Sequence, residues 1–247
     1  MADETSGLSR SVEDYLKAIY SLCMTGETAS TSAIAEALVV QPASVTGMVK
    51  RLAEAAYVEH VPYRGVRLTE KGTREALRVL RRHRILETYL TQCLDYPWED
   101  VHPEAERLEH AASDQLIERM AAALENPSHD PHGAPIPTPA GEIENTDSRT
   151  LAELAPGEEA IVRAVRDDDS EGLLAVEAAG LFPGSRVRVT GRATAPPELE
   201  LEVEGVARVR DDREGQPKET HRILLGLAAR VYVCLLYTSP SPRDIHH

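Results

Sequence analysis

Apolar positions follow helical spacing over the first half of the chain and strand alternation over its last third. Residues 11–25 put Val12, Leu16, Ile19, Tyr20 and Cys23 on one helical face, and Gly26 ends the run. Ser30 and Ser32 are candidate N-caps for a short second helix carrying Ile34, Ala35 and Leu38. The turn Val39-Val40-Gln41-Pro42 leads to a third helix over residues 43–52. Residues 57–61 and 66–69, joined by Pro62-Tyr63-Arg64-Gly65, read as strand, turn, strand. A long helix is predicted from Glu70 to Leu94. Another is predicted over residues 104–125, with Ala105, Leu108, Ala112, Leu116 and Met120 as its apolar stripe.

Periodicity stops between Asn126 and Arg149, where five prolines and two glycines mark a linker. Beyond Leu151, residues 160–165, 186–189, 199–203 and 208–210 alternate as strands do, with one short helix at 170–180. These elements predict a small β-barrel-like domain of about 80 residues. The run CLLYTSPSPRD at 234–244 resembles the translation of a sequencing adapter, so 234–247 reads as a non-native tail. No apolar run approaches the roughly 18 residues of a membrane span, and the polar N-terminus is unlike a signal peptide. The three scattered cysteines cannot build a disulfide framework, and Cys23 and Cys93 are expected as small buried hydrophobes. A cytoplasmic protein with no membrane partner is the expectation.

Charge changes the picture. The 247-residue chain has a formal net charge of −14, which excludes a protein that coats nucleic acid through overall positive charge. The charge is unevenly divided. Residues 1–85 hold 12 basic and 10 acidic side chains, whereas the remainder holds 15 and 31. The acidity therefore belongs to the C-terminal two-thirds, and the first three helices with their hairpin lie in the slightly basic part.

Two short helices, a tight turn, a third helix and a hairpin follow the order of a winged helix-turn-helix. Its third helix would enter the major groove, where base edges are distinguishable. Gln41, Pro42, Ser44 and Thr46 lie at the N-terminal end of that helix, and Lys50 and Arg51 lie further along, within reach of phosphates. Tyr63, Arg64 and Arg67 of the wing suit contacts to the backbone or minor groove. The alternative is a winged helix used for protein contacts; the basic wing tip and third helix in an otherwise acidic chain favour DNA.

The segment Glu106-Arg107-Leu108-Glu109-His110 carries a second kind of chemistry. On a helix, Glu106, Glu109 and His110 fall within an arc of about 100°. Two carboxylates and an imidazole on one face suit a divalent first-row metal. His102 lies four residues before Glu106, and His83 with Glu87 repeats the one-turn spacing on the preceding helix. By spacing alone the segment reads equally as a solvated charged face. His129 and His132, in the proline-rich run, read as solvated or hydrogen-bonded loop residues. A metalloenzyme is disfavoured: there is no His-Glu-x-x-His pairing, partnered nucleophile or phosphate-cradling glycine loop.

These motifs together carry a resemblance. The runs that carry it are Glu13-Asp14-Tyr15-Leu16-Lys17-Ala18-Ile19-Tyr20, Pro42-Ala43-Ser44-Val45-Thr46, and Tyr63-Arg64-Gly65-Val66-Arg67-Leu68-Thr69. To these are added Arg82-His83-Arg84-Ile85-Leu86-Glu87, residues 101–110 and the linker run 130–137. Over about nine-tenths of its length the chain resembles the diphtheria toxin repressor family, most closely the manganese-responsive branch with a C-terminal SH3-like domain. The resemblance implies a mainly α protein with a small β domain. Its parts would be a winged helix-turn-helix domain over 1–72, a helical metal-binding and dimerisation domain with the linker over 73–150, and an SH3-like barrel over 151–233.

The resemblance further implies a homodimer that binds a double-stranded operator when loaded with metal and represses genes of metal homeostasis. By matching position, Asp14, Glu106, Glu109 and His110 would form the primary site. His83, Glu87 and His102 would form an ancillary site, completed by Asp169 or Glu171 of the β domain. Iron-responsive members carry Met and Cys where this chain has Asp14 and Glu106, so carboxylates shift the preference toward Mn²⁺ while Fe²⁺ still binds. Short manganese sensors carry a Glu where this chain has Lys17, so their closely spaced second ion is not expected. The competing readings are an iron-responsive repressor of the same fold and a metal-blind winged-helix regulator.

Overall fold

The computed structural model describes residues 8–144, 149–166, 169–205 and 219–236. They form two compact units. The first takes in residues up to Tyr89 together with 103–128 and 136–144; the second takes in 90–102, 129–135 and the chain from 145 onward. No single described helix is long and apolar enough to cross a membrane.

The first unit opens with α1 (Arg10–Thr25), α2 (Thr31–Ala37) and α3 (Pro42–Glu54), followed by β1 (Val58–Val61) and β2 (Gly65–Leu68). Ser30 caps α2 by accepting the Ala33 amide at 3.1 Å, and Pro42 starts α3, where a missing N–H costs nothing. Leu16, Ile19, Ile34, Val45, Val49, Leu52, Val58 and Val66 form one buried core. The wing pairs Val58 with Leu68 and Val61 with Gly65, and Ala29 adds an isolated bridge to Val66. Gly65 has φ +115°, and a Cβ there would lie 2.1 Å from the Ala29 carbonyl oxygen. Only glycine permits that approach.

Next come α4 (Glu70–Leu94), α5 (Val101–Leu108) and α6 (Asp114–Ala123). The single helix expected over 104–125 is therefore two helices. The break arises because Ser113 caps a new helix, accepting the Leu116 amide at 3.2 Å. The expected apolar stripe holds in part: Ala105, Ala112 and Met120 pack with Ile85, Leu86, Ile117, Ala121 and Ile136, whereas Leu108 and Leu116 are exposed. Three arginines of α4 tie it to α6. Arg78 and Arg82 reach Asp114, while Arg81 reaches Glu118 and the Pro137 carbonyl.

The second unit holds a six-stranded antiparallel sheet in the order β3-β8-β4-β5-β6-β7. Its strands are β3 (Arg149–Thr150), β4 (Glu159–Val165), β5 (Arg186–Thr194), β6 (Pro197–Glu204), β7 (Glu219–Leu224) and β8 (Val231–Leu235). Two short helices, α7 (Ser170–Ala178) and α8 (Leu225–Ala228), interrupt them. Val187 and Val189 of β5 and Leu199, Leu201 and Val203 of β6 face the core, while arginines and glutamates take the outer positions. Part of the expected linker belongs to this unit. The His132 carbonyl accepts the Val165 amide at 2.8 Å, and a Cβ on Gly133 would lie 2.0 Å from the Arg163 carbonyl oxygen. Trp98 packs edge-on against Phe182 in the same core and donates its indole N–H to the Pro131 carbonyl. His132 is buried and hydrogen-bonded to the Trp98 carbonyl.

Residues 234 and 235, read as the start of a tail, pair with β4 through Cys234↔Ile161 and Leu235↔Ala160. The strand expected at 208–210 and the tail from 237 onward lie outside the described residues. Cys23 is half-buried, but Cys93 is exposed near the end of α4, contrary to its expected burial.

Candidate metal centre and DNA-facing surface

The DNA-facing candidates occupy one side of α3 and the wing. Gln41, Pro42, Ser44, Thr46, Lys50 and Arg51 are exposed, while Val45, Val49 and Leu52 bury the opposite side. Tyr63 stands fully exposed at the wing tip. The wing cations are already paired: Arg64 lies 3.1 Å from Glu27, and Arg67 pairs across the hairpin with Glu59. Both pairs are solvent-exposed and therefore cheap to exchange for phosphate.

The acidic cluster is built differently. Glu13, Asp14 and Lys17 project from α1, His83 and Glu87 from α4, and Glu106 from α5; Glu109 and His110 follow directly on α5. Glu109 still closes a helical bond to Ala105, so it and His110 sit at the C-terminal end of α5, where a cation is favoured. Ligand atoms of Asp14, Glu109 and His110 lie within 4.8 Å of one another. His110 Nδ1 lies 2.7 Å from Glu13 Oε2. Its Nε2 lies 2.8 Å from Asp14 Oδ1 and 3.4 Å from Glu109 Oε1, yet is buried without a hydrogen bond.

That arrangement fits a metal. With the proton on Nδ1 donated to the Glu13 carboxylate, the Nε2 lone pair faces two carboxylates, the donor set that suits Mn²⁺ or Fe²⁺. Burial raises the Asp14 carboxyl, against the lowering effect of His110 and Lys17. Glu106, expected as a fourth ligand, is engaged by Lys17 at 2.5 Å, and Lys17 also donates to Glu109 Oε1 at 2.7 Å. Burial would raise Glu109, but its His83 hydrogen bond and Lys17 bring it below the usual carboxylate range.

His83 is buried between Glu109 (2.6 Å from Nδ1) and Glu87 (2.9 Å from Nε2). Burial opposes its charged form, but Glu87 and Glu109 prevail and raise its pKa to about 9. Of the remaining ancillary candidates, His102 lies in the first turn of α5, one turn before Glu106. Asp169 and Glu171 begin α7, where Asp169 lies 3.3 Å from Arg230. His102, Asp169 and Glu171 belong to the second unit, whereas His83 and Glu87 belong to the first.

Besides Lys17, three residues around the cluster are not among the expected ligands: Glu13, Arg82 and Asp114. The buried Glu13 carboxylate bridges His110 and Arg82, and Arg82 continues to Asp114. The available signal was that Glu13 adjoins Asp14, and Arg82 adjoins His83, on the same two helices.

The iron-dependent repressor IdeR of Mycobacterium tuberculosis is 33% identical over 189 residues, spanning 72% of this chain and 82% of the relative. The chain belongs to the diphtheria toxin repressor family of iron-dependent repressors. Residues 7–66 match the family's N-terminal DNA binding domain, 69–138 its metal binding and dimerisation domain, and 149–212 the FeoA domain. The regulator MntR of Listeria monocytogenes is 38% identical over 115 residues, 47% of this chain and 80% of that protein. Among solved structures, a manganese-dependent transcriptional repressor in complex with manganese superposes with a TM-score of 0.79. It is 33% identical and covers 91% of this chain and all of that one. The IdeR structure from T. acidophilum gives 0.71 at 27% identity, covering 95% of this chain and all of that one. Members of this repressor family are transcriptional regulators.

Proposed function

We infer that the protein is a metal-responsive DNA-binding transcriptional repressor of metal-homeostasis genes, with Mn²⁺ favoured and Fe²⁺ accepted. The observation that carries this reading is the buried, unbonded Nε2 of His110 facing Asp14 and Glu109. Held by Asp14, Glu109 and His110, with Glu106 alongside, a divalent ion would supply a bond between α1 and the end of α5. Asp14 rides on a helix whose other side, Leu16 and Ile19, lies in the core of the DNA-binding domain. Fixing Asp14 therefore fixes that domain, selecting one arrangement from an ensemble. Glu13 keeps His110 in the ligating tautomer, and Arg82 holds Glu13.

The DNA contacts would come from Gln41, Pro42, Ser44 and Thr46 at base edges, with Lys50, Arg51, Tyr63, Arg64 and Arg67 on the backbone or minor groove. As a homodimer, the protein would read two half-sites of a palindrome spaced by a helical turn or a multiple of it. The test uses a duplex selected from random-sequence DNA by the Mn²⁺-loaded protein. Gel shifts with Mn²⁺ and with chelator should differ by about 5–150-fold in affinity. Equal affinity in the two conditions would contradict the reading.

A further inference from the structure

Lys17 lies three residues after Asp14 on α1, with its side chain largely buried. Its ammonium donates to Glu106 Oε1 at 2.5 Å and to Glu109 Oε1 at 2.7 Å. That same Glu109 oxygen is the one nearest His110 Nε2, at 3.4 Å. The other Glu109 oxygen takes His83. Glu109 is fully buried, so it cannot fall back on water if it loses a partner. Burial disfavours the charged form of Lys17, but Glu109 and Glu106 outweigh it and raise the ammonium above its ordinary pKa.

We propose that Lys17 is a tethered cation that competes with the divalent metal for the carboxylates of Glu106 and Glu109. The inference rests on the metal-responsive reading above. In the ion-free protein the ammonium balances an acidic cluster that would otherwise repel itself. Metal entry requires the ammonium to give up both carboxylates, which its flexible four-carbon stem permits. Lys17 thereby sets the metal concentration at which the protein responds: a single charge holds the site until a double charge displaces it.

The test is Mn²⁺ binding to the full chain without DNA, read from the electron paramagnetic resonance signal of free Mn²⁺. Lys17→Met, nearly isosteric and uncharged, should bind Mn²⁺ about tenfold tighter than the wild type. Lys17→Arg, which keeps the charge, should stay close to the wild type. Arg10→Gln is the charge-matched control, because Arg10 is exposed and 3.9 Å from Asp14; it should shift the affinity only about twofold. In chelator, Lys17→Met should unfold at a lower temperature than the wild type and gain more from added Mn²⁺. Should Lys17→Met fail to fold, Lys17→Gln takes its place. Unchanged or weaker binding by the neutral variant would overturn the proposal while leaving the metal reading intact, as would an equal shift in Arg10→Gln. Failure of the wild type to bind Mn²⁺ at all would overturn the metal reading, and the competition proposal with it.

Discussion

The two functional regions of the first unit are built on opposite principles. On α3 and the wing, the candidate DNA-contacting side chains are exposed, and the ion pairs of Arg64 and Arg67 stand in solvent. Around His110, five carboxylates, two imidazoles, Lys17 and Arg82 are packed into one network, in which Glu13, Glu87, Glu109, His83 and Arg82 are buried while Asp14 and Glu106 reach partly into solvent. Exposed groups act additively, each contributing its own increment to binding. Buried coupled groups act as a unit, so losing one changes what its neighbours can do. A reader of DNA joined to a sensor of cations requires both kinds of surface.

Substitutions can break this contrast, and the largest effect should come from the buried side. Asp14→Ala should remove the metal dependence of operator binding, lowering affinity in Mn²⁺ by the whole coupling factor of about 5–150-fold. Affinity in chelator and the folded dimer should be unchanged, as gel shifts and sedimentation would show. Glu13→Gln touches no DNA and is not an expected ligand, yet should weaken Mn²⁺ binding by about 10–100-fold through loss of the His110 orientation. Calorimetric titration would read that change, and a wild-type affinity would mean that the Glu13 contact does not position His110.

On the exposed side, Lys50→Ala should weaken binding to all duplexes alike and lower the salt slope by about one unit. A change confined to the cognate sequence would instead make Lys50 a reader of bases. A separate effect is expected in stability rather than in binding. With its pKa raised from 6.5 to about 9, His83 stabilises the ion-free fold fully below pH about 6.5, and this contribution is lost as pH rises through about 9. Denaturant titrations in chelator across that window should show the decline, and His83→Gln should flatten it.

The same contrast explains what could be read from the residues alone. The helix-turn-helix and wing were legible because each element carries its own local signal: the Ser30 cap, Pro42 at a helix start, and alternation around Gly65. Spacing put Glu106, Glu109 and His110 on one face, of which Glu109 and His110 come together with Asp14, a residue placed with them only through the family resemblance. The partners Glu13, Arg82 and Asp114 were not legible, because their roles depend on contacts between α1, α4 and α6 that no local pattern encodes. The break before α6 had a signal in Ser113-Asp114, overridden by an apolar stripe whose Leu108 and Leu116 face outward. In the β domain, β7 escaped because Ile223 is its single buried residue, leaving no alternation to detect.

In the proposed mechanism metal and DNA act through one equilibrium, which binding thermodynamics makes reciprocal. The direct measurement is the Mn²⁺ affinity of the chain, alone and saturated with its selected duplex. DNA should tighten Mn²⁺ binding by the same factor by which Mn²⁺ tightens DNA binding. Identical Mn²⁺ affinities with and without DNA would contradict it.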